Sequence, residues 1–165
     1  MVQIEQVTGH NLARFIEVRL RALQESPWAF GSTYARESAF TDEEWRARLA
    51  RWNSVRGVGY LAIEDSVTCG IAGALADEED PTRAVLVSMW TAPANRRKGL
   101  GRSLVEEILG WASRRGIRVL QLMVTSRNDG AMQFYEKLGF ARTGRVEPYP
   151  NDPSMVEYEM ARAIG

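Results

Sequence analysis

The sequence predicts a single α/β domain of the α+β kind, with six to seven strands and about four helices. Three observations carry that reading. Apolar residues recur with period two and then with period 3.6 along the whole chain, so strands and helices are interspersed. Two strand-like runs separated only by Glu64-Asp65-Ser66 spell an antiparallel hairpin. A strand, a long amphipathic helix and a second strand between residues 84 and 124 spell a right-handed βαβ unit with parallel strands. A chain of 165 residues buries roughly two-thirds of its unfolded surface, which suffices for one core and requires no second domain.

Residues 2–7 alternate apolar and polar side chains and read as a short strand. Leu12, Phe15, Ile16, Leu20 and Leu23 then form the stripe of a helix over about 11–24. Pro27 and Gly31 break the pattern and leave a loop feeding a short helix. Thr41, followed three residues later by Glu44, has capping-box spacing and opens a helix running to about Trp52. Strands at about 58–64 and 67–76 make the hairpin, and the acidic stretch at 77–81 turns the chain into a strand at 84–91. That stretch reads as a solvated turn, with steering of a cationic substrate as the alternative.

Leu100, Leu104, Ile108 and Ala112 recur every four residues, widened by Val105 and Leu109, and mark a helix over about 99–115 that Gly116 ends. Residues 117–124 are apolar on both pleat faces except at Arg118 and Gln121, as a strand covered on both sides requires. A shorter helix over about 129–138 carries Ala131, Phe134 and Leu138 on one stripe and stops at Gly139. Strands near 140–147 and 154–162 follow, separated by a loop containing Pro148, Pro150 and Pro153.

The 21 basic and 21 acidic side chains cancel, so total charge argues for neither nucleic acid nor an anionic membrane as partner. Only Lys98 and Lys137 among the basic residues are lysines, and the 19 arginines suit phosphate recognition and soluble surfaces equally. Cys69, the single cysteine, can form no internal disulfide and lies in an apolar run where a buried, inert thiol is expected. His10, the only histidine, falls at the first helix start, where capping or solvent exposure is expected. The opening MVQIEQVTGH lacks an export-signal pattern, and no run approaches the about 18 apolar residues of a membrane span. A cytoplasmic location is therefore expected, with no metal site.

The informative segment is RRKGLGRSL at 96–104, between a strand and an amphipathic helix. Gly99 and Gly101 remove side chains where a ligand would approach the backbone, and the first free amides of the helix carry the positive end of its dipole. Arg96, Arg97, Lys98 and Arg102 add charge around this anion cradle. The order is neither that of a P-loop nor GxGxxG, which removes support for nucleotide hydrolysis and dinucleotide redox chemistry. Taken alone, the segment also reads as a basic turn before a glycine-rich helix start.

The Arg-x-x-Gly-x-Gly order at 96–101 resembles motif A of the GCN5-related N-acetyltransferase (GNAT) superfamily. NDGAMQFYEKLGFARTG at 128–144 resembles that superfamily's motif B. With the order of elements, the resemblance covers nearly the whole chain. It implies a mixed, mostly antiparallel central sheet that splays open between parallel strands at 84–91 and 117–124, with acetyl-CoA lying in the gap. Met89, Trp90 and Thr91 would pair with the pantetheine arm, and the segment Arg96, Arg97, Lys98, Gly99, Leu100, Gly101, Arg102 and Ser103 would hold the pyrophosphate. Asn128 would contact the cofactor, its alternative being a helix cap. Tyr135 would face the departing sulfur, its alternative being packing beside Met132.

An amine must lose a proton before it attacks a thioester, and the oxygen that becomes negative needs a donor. The resemblance implies a backbone amide near Trp90 as that donor. Many relatives carry a glutamate on this strand, but AVLVSMWT has no acidic residue, so the base stays open among Glu37, Glu64, Asp65, Glu147 and Glu157. The acceptor face implied by the family brings in Trp28, Phe30, Tyr34 and Tyr149, an aromatic set able to clasp an apolar or cationic amine. Trp45, Trp52 and Trp111 are assigned to the core or to a subunit contact. The implied activity is transfer of acetyl to a primary amine of a small molecule, the alternatives being a protein or peptide amine or a CoA-binding sensor. Similar proteins make a homodimer an admissible assembly.

Overall fold

The computed structural model describes residues 2–165. Strand β1 (Val2–Gln6) leads through a 3₁₀ turn into helix α1 (Leu12–Glu25), followed by the short α2 (Tyr34–Glu37) and by α3 (Asp42–Trp52). Three strands follow, β2 (Gly57–Glu64), β3 (Val67–Ala76) and β4 (Arg83–Thr91), then α4 (Leu100–Arg114), β5 (Val119–Thr125) and α5 (Asp129–Lys137). The last two strands are β6 (Ala141–Tyr149) and β7 (Asp152–Ala163). All seven strands make one sheet in the order β1-β2-β3-β4-β5-β7-β6, and every neighbouring pair is antiparallel except β4 and β5.

Local chemistry accounts for the element boundaries. Asp65 and Ser66 take positive φ values of 51° and 66°, giving the two-residue turn whose twist suits the β2–β3 hairpin. The Glu44 amide donates to Thr41 Oγ1 at 3.1 Å and relieves one orphan donor of α3. Gly116 and Gly139 take positive φ just beyond α4 and α5, where a side chain would be strained.

Two elements depart from the expected pattern. The buried face of α1 is Phe15, Val18, Arg19, Ala22 and Leu23, while Leu12, Ile16 and Leu20 are only partly covered. A charged residue lies at the centre of that face because α2 supplies its counter-ion, described below. The three prolines near the C-terminus do not make a long loop either: Tyr149 pairs with Asp152, so only Pro150 and Asn151 turn the chain. Pro148 is tolerated because β6 is an edge strand, where a missing amide breaks no ladder.

Helices cover both faces. Trp52 of α3 lies against Gly59 and Gly73, which are register partners, whereas Leu100 and Leu104 of α4 lie against Gly70 on the opposite face. Trp45, Trp52 and Trp111 are all buried within the chain's own core, and Cys69 is buried and unpaired, its thiol raised by burial. Among the described residues no helix is long and apolar enough to cross a membrane.

Candidate active site

The parallel pair is short. Arg83, Ala84 and Val85 pair with Val119, Leu120 and Gln121, and the pairing ends there, so β4 and β5 part over their remaining lengths. The cause lies on β4. Gly73 pairs with Val87 and Ile71 with Trp90, which sets Ser88 and Met89 opposite the single residue Ala72. Such a bulge bends its strand, and Ser88 adopts a positive φ of 59° to make it.

A buried ion network fixes the bulge in place. Arg19 Nη1 donates to Ser88 Oγ at 3.2 Å, while Arg19 Nε and Nη2 grip the two Glu37 oxygens at 2.8 and 2.9 Å. Arg48 Nη1 reaches Glu37 Oε2 at 3.1 Å. Burial alone would raise the Glu37 carboxyl, but the Arg19 guanidinium outweighs it and holds the group below the usual carboxylate range. Glu37 is thus a fully buried structural anion, occupied by two arginines, and is not placed to accept a proton from a substrate.

Below the parted strands the chain turns into α4. Arg97 and Gly99 take positive φ values of 65° and 80°, and a Cβ at Gly99 would meet nothing within 4 Å. The backbone is therefore open at this point. Among the described residues the amides of Arg97, Lys98, Gly99, Leu100, Gly101 and Arg102 have no acceptor, and the first bond of α4 runs from Ser103 to Gly99 at 3.0 Å. Gly101 has a different reason for being small, since a Cβ there would come within 3.1 Å of Met89 Cε and Phe134 Cζ.

The basic side chains divide. Arg97 and Lys98 are exposed and make no ion pair among the described residues, and Arg102 pairs along its helix with Glu106. Arg96, although exposed, is engaged within the protein: it donates to the Thr91 carbonyl at 2.9 Å and pairs with Glu25. Glu25 also accepts from Trp90 Nε1 at 3.2 Å. Burial tends to raise the Glu25 carboxyl, but Ser26 and Arg96 hold it below its ordinary value. No periodicity or motif singles out Glu25; only the approach of the α1 end to β4 does. The Ala92 amide donates to Cys69 O at 2.8 Å, so ladder alternation turns the Trp90 amide towards Ile71 and the Thr91 peptide groups towards the gap.

On α5, Asn128 Oδ1 accepts from the Ala131 amide at 3.3 Å and caps the helix, while its Nδ2 has no partner among the described residues. Tyr135 is buried between Phe134 and Phe140, with ring centroids 5.2 and 5.7 Å away, and its hydroxyl makes no hydrogen bond among the described residues. Burial pushes this phenol well above its ordinary value, so it keeps its proton throughout the neutral range.

The four aromatic residues assigned to the acceptor face separate by exposure. Trp28 and Tyr34 are 46% and 39% exposed, whereas Phe30 and Tyr149 are buried. Tyr149 Oη donates to the carbonyls of Pro27 and Phe30, and Asn151 Nδ2 donates to those of Phe30 and Ser32, so the β6–β7 turn ties down the loop at 27–32. Of the remaining acidic candidates, Glu64 accepts from Asn95, Asp65 forms the hairpin turn, and Glu147 pairs with Arg145. Glu157 makes no ion pair among the described residues.

The comparison with known proteins agrees with this architecture. The profile of the acetyltransferase (GNAT) family matches residues 19–140, and the chain belongs to that family, whose enzymes use acetyl-CoA as a cosubstrate. The crystal structure of a GNAT-family acetyltransferase from Streptococcus pneumoniae superposes with a TM-score of 0.86 at 26% identity, covering 100% of both chains. In sequence, the [ribosomal protein bS18]-alanine N-acetyltransferase of Escherichia coli is 31% identical over 113 residues, 65% of this chain and 76% of the relative. An uncharacterized N-acetyltransferase of Methanocaldococcus jannaschii is 26% identical over 144 residues, so that the match spans 83% of this chain and 59% of that protein.

Proposed function

We propose that the chain transfers an acetyl group from acetyl-CoA to a primary amine of a small molecule, by direct attack in a ternary complex. The observation that carries this reading is the parting of β4 from β5 beside a run of partnerless amides at the start of α4. A pantetheine arm, which carries two amides, suits the first, and a diphosphate suits the second. Arg97 to Arg102 supply the amides, with Arg97 and Lys98 adding free charge, while Arg96 contributes by fixing the Thr91 end of β4. The Thr91 peptide faces the gap, and Asn128 retains a free Nδ2 for the cofactor.

In the reaction the acceptor nitrogen attacks the thioester carbonyl, an outward-facing amide beside Trp90 steadies the oxyanion, and the Tyr135 hydroxyl donates to the departing sulfur. A phenol that stays protonated is a suitable donor for this purpose. Tyr135→Phe is accordingly expected to lower kcat about 10- to 100-fold, the worth of roughly 1.5–3 kcal/mol for a hydrogen bond to a charged group, and to leave CoA affinity nearly unchanged. Equal turnover in the two proteins, measured by thiol release, would make the residue structural.

The bridge of Tyr149 and Asn151 across the 27–32 loop leaves Trp28 and Tyr34 as the exposed aromatic surface, which suits a slender amine. A peptide α-amine is the second reading, favoured by the similarity to the ribosomal-protein alanine acetyltransferase. Thiol release from acetyl-CoA over a panel of polyamines, amino-acid derivatives, aminoglycosides and alanine-initiated peptides separates the two. Acceleration by small amines alone supports the first reading and acceleration by peptides alone the second. Tight CoA binding without thiol release for any amine would leave a sensor.

A further inference from the structure

We propose that Glu157 is the base that takes the proton from the acceptor amine, and that the Thr125 hydroxyl orients that amine beside it. This inference rests on the acetyltransferase reading above and supplies the group that the acid-free strand β4 lacks. The two residues are register partners across β5 and β7. The Ser126 amide donates to Val156 O at 2.8 Å, so Ser126 and Val156 form a hydrogen-bonded pair and Thr125 and Glu157 form the adjacent non-bonded one. Side chains in such pairs stand closest together, with Cβ atoms about 4.5–5.5 Å apart on one face.

That face is the acceptor's. Gln121, on the same side of β5 as Thr125, is level with Val85, Leu75 and Gly57, the row facing α1 and α3. Tyr149, two residues beyond Glu147 on β6, reaches from this side to the carbonyl of Pro27. Thr125 is 4% exposed, and its Oγ1 is buried with no hydrogen-bond partner among the described residues. A buried hydroxyl left alone costs stability, and an acceptor amine beside Glu157 would supply the missing partner.

The charges around Glu157 leave it free. Glu147 faces it from β6 and Tyr149 from the β6–β7 turn, Glu159 follows on its own strand, and Met123 and Thr125 of β5 and Pro27–Ala29 carry no charge. Arg145 is engaged by Glu147 and Glu159. Burial and the neighbouring Glu147 together hold the Glu157 carboxyl above its usual range, whereas Glu25 and Glu37 are held below theirs by arginines. Environments that drive carboxyl groups apart in this way separate a proton acceptor from structural anions.

The proton inventory closes. One proton of the acceptor ammonium passes to a Glu157 oxygen, and the freed lone pair forms the C–N bond as the C–S bond breaks. The second nitrogen proton leaves with the CoA thiol, and Glu157 returns its proton to solvent.

With an acceptor found by the thiol-release panel, Glu157→Gln is expected to lower kcat about 10²- to 10⁴-fold while calorimetric CoA affinity holds. The acid limb of kcat/KM set by the Glu157 carboxyl should vanish in this variant, leaving only the rise at higher pH that follows the acceptor's own ammonium group. Glu157→Asp should keep the acid limb with a smaller loss, and Glu147→Gln should move it to lower pH by removing the like charge. Carbon-13 titration of the glutamate carboxyls in the resting protein should show the Glu157 signal above the ordinary range. Wild-type turnover with an unchanged acid limb in Glu157→Gln, or an ordinary Glu157 titration, overturns the assignment and leaves the acetyltransferase reading standing. A wild type that binds CoA but acetylates no amine overturns both.

Discussion

Gly99→Glu is expected to weaken CoA binding by more than about 100-fold, close to 2.7 kcal/mol at room temperature. Gly99 holds φ at 80° in front of amides with no acceptor, and its Cβ position is open space. A glutamate placed there fills the approach to those amides with a negative charge, where a diphosphate would have to displace it. The fold should tolerate the change. The left-handed conformation costs a side chain about 1–2 kcal/mol, and an anion at a helix N-terminus returns part of that. Gly99→Asn, which accepts positive φ without charge, is the control and should retain most of the affinity. Calorimetry on both variants checks the site, and equal Kd values in Gly99→Glu and wild type would remove α4 from cofactor binding.

The second large effect is on stability. Glu37→Gln should cost about 3–5 kcal/mol at neutral pH, because it leaves the buried Arg19 guanidinium without its anion. Since the folded-state carboxyl is held below its ordinary value, the stability it contributes is present at neutral pH and is lost as pH falls through that lowered value. The gap between wild type and variant, measured by urea unfolding, should therefore narrow on acidification and stay wide above the usual carboxylate range. A gap independent of pH would mean that the loss comes from packing. Because Arg19 also reaches Ser88, the variant should loosen the β4 bulge.

What the sequence discloses about this molecule is what its local chemistry determines. The β2–β3 hairpin needs only two turn residues, and α4 declares itself through one apolar row and one glycine, so both were legible. The parting of the parallel strands came from family resemblance, because its cause is a contact between Ser88 and Arg19, 69 positions apart in the chain. For the same reason Glu37 reads in sequence as one of five candidate bases, and nothing local marks Arg19 as its buried partner: their burial depends on each other. Arg96 belongs to a basic run, and nothing nearby in sequence indicates that Glu25 draws it away from the cradle. Tyr149 and Phe30 read as a clasp for substrate, but their burial follows from hydrogen bonds across some 120 residues. The orphan hydroxyl of Thr125 has no sequence signature, because being partnerless is a property of the surroundings.

The facing pair Gly59 and Gly73 bears on all of this from a distance. Any methyl at those positions would fall 2.0–2.2 Å from the Trp52 indole, so the ring rests on bare main chain. Trp52 ends α3, and α3 carries Arg48 to Glu37, which in turn holds Arg19 against the bend in β4. The bend in β4 is thus gauged by two hydrogen atoms beneath a tryptophan on the two neighbouring strands, and a single alanine there would be transmitted as a change of alignment without touching Ser88 or Arg19.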